Sequence, residues 1–174
     1  MSYVSKTLFA AFAVASLAAA APAFAVDYLS INAGEYDALR SNTDNQAFQY
    51  GAEYRFSEIG YGVRPIIGGF GTSDGAAYGY AGLNWDVAIL PNQLYIVPNF
   101  AVGAYHEGSG KRLGGALEFR SGIELDYQFP NQHQLGIALN HISNAGIYSH
   151  NSGEETIMGI YSVPVSSVKS WIGY

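Results

Sequence analysis

The sequence predicts an all-β fold, an eight-stranded antiparallel transmembrane β-barrel, and three observations carry that expectation. The chain opens with the pattern of an export signal and contains no cysteine. It is poor in charge and rich in two residue types, with 13% charged residues, 14 Tyr and 21 Gly; an ordinary soluble domain carries roughly twice that charged fraction. Apolar and polar residues also alternate with period two through several segments. A wall between lipid and a barrel interior requires this, because successive side chains of a strand point to opposite faces.

The first segment is read as a targeting signal. Lys6 precedes an apolar run from Leu8 to Ala21, and Ala23-Phe24-Ala25 follows as a small-x-small cleavage pattern. The run is short of the ~20 residues a spanning helix needs, and Pro22 closes it. Residues 1–25 are therefore expected to be removed, leaving 26–174 as a single barrel domain. The formal charge then passes from −6 to −7, because one lysine and no acid is lost. A chain this acidic is a poor partner for nucleic acid. With no cysteine, backbone pairing and packing must hold the fold, and neither a thiol nucleophile nor a Cys-ligated metal is available.

Eight strands are expected near 28–37, 46–57, 63–72, 77–89, 94–105, 112–129, 133–143 and 155–164, the smallest number that closes a transmembrane barrel. The second is among the clearest: Phe48, Tyr50, Ala52, Tyr54 and Phe56 alternate with Gln49, Gly51, Glu53, Arg55 and Ser57. In the sixth, Leu113, Leu117, Phe119, Ile123, Leu125, Tyr127 and Phe129 share one phase, while Glu118, Arg120, Glu124 and Asp126 share the other. The charged residues of these two strands are expected to pair inside as polar filling, since so small a barrel has little free volume. Leu90-Pro-Asn-Gln93 and Phe129-Pro-Asn-Gln132 are compact turn signals. With 58–62 they mark the periplasmic side, and 38–45, 73–76, 106–111 and 144–154 become the external loops. Tyr28, Trp85, Tyr95, Tyr105, Tyr127 and Tyr161 are candidates for interfacial girdles.

The seventh strand carries the chemistry. His141 and Ser143 share the phase of Leu135, Ile137 and Leu139, so they are expected on the lipid-facing side near the outer rim. Two residues apart on a strand, their Cα atoms lie ~6.5–7 Å apart, close enough for an imidazole to take the Ser143 proton. Such a pair works best when a carboxylate orients the imidazole. Glu155 continues the phase of Ile157, Tyr161 and Val163 and is preferred for that role, with Glu154 as the competitor one register step away. Oxyanion donors are available from the Gly146 backbone N–H and from the Asn144 and Asn151 side chains. His106, His133 and His150 fall in loops or turns without metal-ligand spacing. The plainer reading of the same residues is a loop built of ordinary turn formers with a solvated glutamate. Polar groups beside lipid are costly without a purpose, however.

His141-x-Ser143-Asn144-Ala145-Gly146, followed by Asn151, Gly153 and Glu155, resembles the outer-membrane lipid A 3-O-deacylase (PagL-type) family. The resemblance implies a hydrolase that removes the ester-linked 3-O-acyl chain of lipid A in the outer leaflet, with lipopolysaccharide as substrate and no metal or cofactor. It implies Ser143 as nucleophile, His141 as base and Glu155 as orienting acid, with Gly146 and Asn151 as oxyanion donors and Asn144 as a further candidate. A homodimer could cover the outward site. The C-terminus departs from the usual barrel, in which the last strand ends in an aromatic residue: Pro164 stops the eighth strand, so 165–174 is read as an appended segment ending in Trp171 and Tyr174. A glycerophospholipid esterase is a close variant, and a family member with decayed activity a further one. The rival from another class is a non-enzymatic small barrel, structural or adhesive.

Overall fold

The computed structural model describes residues 26–40 and 43–173; the expected signal segment, 1–25, and the terminal Tyr174 lie outside them. Eight strands follow one another: β1 (Tyr28–Tyr36), β2 (Ala47–Arg55), β3 (Val63–Thr72), β4 in two pieces (Ala77–Trp85 and Val87–Leu90), β5 (Leu94–His106), β6 (Leu117–Gln128), β7 (Gln134–Ser143) and β8 (Glu154–Pro164). Each pairs antiparallel with the next, and β8 pairs back with β1, Tyr28 opposite Pro164 and Glu35 opposite Ile157. The sheet is thus closed, leaving no edge whose backbone groups would go unpaired in lipid. The two pieces of β4 flank Asp86 and both pair with β5. Asp86 leaves the ladder because its N–H turns to the Gly62 carbonyl and its carboxylate to Arg64 Nε, 2.5 Å away.

The wall is apolar outside and polar inside. Ile31, Phe48, Tyr50, Ile67, Leu83, Phe100, Ile123, Leu125, Leu135, Ile137, Leu139 and Ile157 are exposed on its outer surface. Gln49, Glu53, Arg55, Asn84, Glu124, Asp126, Asn140 and Thr156 are buried within. An outer surface this apolar suits a hydrocarbon surrounding rather than water. Arg55 is the hub of the interior, 2.9 Å from Glu53, 2.9 Å from Glu124 and 3.4 Å from Asp126. Arg120 bonds Glu53 at 3.0 Å and lies 3.9 Å from the centre of the Tyr80 ring. Glu118, expected in the same network, forms no ion pair among the described residues, since it lies nearer the loop end than the guanidinium groups. Toward that end the interior becomes an aromatic plug of Tyr36, Phe70, Tyr78 and Tyr105, closed by Leu113 and Ile142.

Several sequence expectations are corrected. The sixth strand begins at Leu117, not at 112. Leu113, which shares the lipid-facing phase by counting, is fully buried because residues 112–116 leave the ladder and fold over the barrel mouth. Tyr28 and Tyr105 are not girdle residues. Tyr28 points inward beneath the Arg64 guanidinium, and the Tyr105 hydroxyl bonds the Tyr36 hydroxyl at 2.9 Å and donates to the Lys111 carbonyl at 2.7 Å. Trp85, Tyr127 and Tyr161 do face outward. Beyond Pro164 the chain forms a short helix, α1 (Val165–Trp171), which brings the Trp171 ring 6.1 Å from His133.

Candidate active site

The β7–β8 register decides what stands beside His141. Outward residues of β7 alternate with inward ones, so Leu135, Ile137 and Leu139 are exposed and Gln134, Gly136, Ala138, Asn140 and Ile142 are buried. His141 and Ser143 fall on the outward phase, above that apolar row, and both are partly exposed. Across the ladder His141 stands opposite Glu155 on β8 and Ser121 on β6, and Ser143 stands opposite Phe119. Opposed residues share a face. Glu155 therefore lies on the outer surface with His141, and its Oε1 is 3.1 Å from His141 Nδ1. Glu154 takes the inward phase and is fully buried; its carboxylate accepts from the Thr156 hydroxyl at 2.9 Å and from the Asp37 N–H at 3.5 Å.

Ser143 lies one strand step above His141, and among the described residues their side chains do not hydrogen-bond. Contacts of this kind commonly tighten only when substrate is held. The ring is confined from the loop side by Gly153, where a Cβ would lie 2.9 Å from His141 Cε1.

The three expected oxyanion donors are differently engaged. Asn144 is fully buried, and both hydrogens of its amide are committed, to the Leu113 carbonyl at 2.8 Å and the His150 carbonyl at 2.9 Å. It is an organiser of the loop and has no donor left for a substrate. The Gly146 N–H donates to Asn144 Oδ1 at 3.0 Å. Asn151 Oδ1 accepts from the Asn144 N–H at 3.1 Å, and its amide nitrogen has no protein partner among the described residues. The loop as a whole is seated on residues 112–117: Ser152 Oγ donates to the Arg112 carbonyl at 2.7 Å, and the Tyr148 hydroxyl accepts from the Leu117 N–H at 3.2 Å. Of the other histidines, His133 bonds the Tyr161 hydroxyl at 2.7 Å and His150 lies 3.2 Å from the Arg112 carbonyl.

Arg40 had no place in the sequence reading. Its Nε donates to Glu155 Oε2 at 3.1 Å and its Nη2 to the Ser152 carbonyl at 2.8 Å. No local pattern announces it, because 115 residues separate it from Glu155 and only closure of the β1–β8 seam brings the two together.

A model of the lipid A 3-O-deacylase (PagL) family matches residues 33–164. A search of curated proteins finds no match. Among solved structures, the crystal structure of the outer membrane enzyme PagL superposes with a TM-score of 0.60 at 19% identity, covering 79% of this chain and 99% of that one. A de novo designed transmembrane β-barrel gives 0.56 at 13% identity, over 80% of this chain and 96% of its own. Neisserial surface protein A gives 0.50 at 10% identity, over 79% and 95%. At these identities the structural likenesses speak for the barrel fold, and the family match speaks for kinship.

Proposed function

The chain belongs to the lipid A 3-O-deacylase (PagL) family, and on that premise we propose that it is an outer-membrane serine esterase that hydrolyses the 3-O-linked acyl ester of lipid A. Residues 1–25 would serve as its export signal. The observation that carries the reading is the 3.1 Å contact between His141 Nδ1 and Glu155 Oε1 on the lipid-facing wall, one strand step from Ser143. A soluble esterase gains nothing from presenting these groups to hydrocarbon. An enzyme whose ester lies inside a membrane leaflet needs them there.

In this reading Glu155 accepts the hydrogen on His141 Nδ1, leaving Nε2 as the free base. As Ser143 Oγ attacks the ester carbonyl, Nε2 takes the hydroxyl proton and the carbonyl oxygen becomes an oxyanion. The Asn151 amide is the donor suited to that oxyanion, and the Gly146 N–H could join it by exchanging Asn144 Oδ1 for substrate. Collapse of the tetrahedral adduct breaks the ester C–O bond, and His141 returns its proton to the departing sugar oxygen. Water, deprotonated by His141, then attacks the acyl-serine; the Ser143 Oγ–acyl bond breaks, His141 returns the proton to Ser143 Oγ, and the 3-hydroxy fatty acid is released. The loops 37–46, 107–116 and 144–153 at the Ser143 end are each longer than any turn at the opposite end, which supports a site facing the outer leaflet.

The decisive experiment is mass spectrometry of lipid A from a Gram-negative host expressing the wild-type chain or Ser143→Ala. Loss of one 3-hydroxyacyl mass in the wild type alone is expected. Identical spectra, with both barrels folded in the membrane, would refute the esterase and favour the structural or adhesive barrel.

A further inference from the structure

We propose that Arg40 is a positioning residue for the His141–Glu155 pair, an inference that rests on the function proposed above. The two oxygens of the Glu155 carboxylate have separate partners. Oε1 faces His141 Nδ1 at 3.1 Å, and Oε2 accepts from Arg40 Nε at 3.1 Å. A carboxylate held at both oxygens cannot rotate about its last bond without breaking one contact, so the guanidinium fixes the direction in which Oε1 points.

The same guanidinium holds the chain that approaches the histidine. Arg40 Nη2 donates to the Ser152 carbonyl at 2.8 Å, immediately before Gly153, whose Cα borders the His141 ring. Two acceptors in different directions are met by the planar fork of an arginine, and a lysine ammonium on its flexible stem matches them poorly. The first loop is built to deliver the group. Asp37 adopts φ 58°, turning the chain off β1, and the next residue, Ala38, donates its N–H to the Glu155 carbonyl at 2.7 Å. Asp37 also lies 3.8 Å from Arg40 Nε and forms an ion pair with Lys111, which tethers the first loop to the third.

The alternative is an ordinary surface ion pair, since the Arg40 side chain is 42% exposed and such pairs contribute little to stability. Rate measurements separate the two. Wild type, Arg40→Ala, Arg40→Lys, Glu155→Ala and the double variant Arg40→Ala/Glu155→Ala are assayed on lipid A in detergent, each first shown to be a folded barrel. Arg40→Ala is expected to lower kcat about tenfold with KM unchanged, because a small misorientation at a reacting centre is costly. Arg40→Lys should recover part of that loss. In the Glu155→Ala background, removal of Arg40 should cost nothing further, as expected of a residue that acts only through its partner. Wild-type kcat in Arg40→Ala, a rise in KM alone, or an equal loss in both backgrounds would overturn the inference while leaving the triad standing. Full activity of Glu155→Ala would overturn the triad and this inference together.

Discussion

At the scale of single residues, the site is flanked by two glycines with left-handed backbone, and only one of them lacks room for a side chain. Gly153 has φ +60°, and a Cβ there would lie 2.9 Å from His141 Cε1 and 3.6 Å from Arg40 Nη2. Gly146 has φ +79° but nothing within 4 Å of its Cβ position. Alanine at either position adopts a left-handed backbone at a cost of roughly 1–2 kcal/mol, yet only at 153 does the new methyl push on the imidazole. Gly153→Ala should therefore lose at least about tenfold in kcat on a folded barrel. Gly146→Ala should lose less, and equal losses in a lipid A assay would refute the steric account.

At the scale of elements, β8 presents two adjacent glutamates to opposite sides of the wall. Glu155→Gln keeps the shape but cannot stabilise an imidazolium, so activity should fall by about 10⁴, as for another triad whose acid is replaced by its amide. Glu154→Gln retains an acceptor for the Thr156 hydroxyl and the Asp37 N–H, so activity should stay within a few-fold of wild type. The opposite ranking would mean that the strand register differs from the one described. The alternation of β7 was legible from Leu135 to Ser143 because side-chain direction on a strand is a local property. The phase of Ile157, Tyr161 and Val163 favoured Glu155 over Glu154, but the pairing of β7 with β8 is what sets it opposite His141, and a slip of one residue reverses every side chain. The loop donors were illegible for a different reason. Asn144 and Gly146 are plausible oxyanion donors by composition, and only the packing of 144–153 against Leu113 and Arg112 reveals that their hydrogens are engaged.

At the scale of the molecule, the barrel is a shell around packed polar groups. Arg55 serves Glu53, Glu124 and Asp126 at once, and all four side chains are nearly inaccessible. Arg55→Met keeps most of the volume but leaves buried carboxylates without their cation. Destabilisation by about 3–5 kcal/mol is expected, read as a lower urea midpoint for unfolding from lipid vesicles. An unchanged midpoint would show that Arg120 and the surrounding polar groups suffice to hold the three acids. Above this cluster, the aromatic plug of Tyr36, Phe70, Tyr78 and Tyr105 backs the outer rim. Ile142, buried in that plug between His141 and Ser143, anchors β7 from inside while its neighbours face lipid.

By itself the sequence determined the all-β class, the number of strands, the polarity of each face and the outward direction of His141 and Ser143. All of these follow from a two-residue period and from turn residues that act on their immediate neighbours. Only the tertiary structure decided that Glu155 and not Glu154 meets the imidazole, and that Arg40 stands behind it. It also decided that Tyr28, Tyr105 and Leu113 turn inward, and that Asn144 is spent on the loop. Each of these depends on pairing or packing between segments far apart in the chain, and closure of the barrel across β1 and β8 is what brings those segments into register.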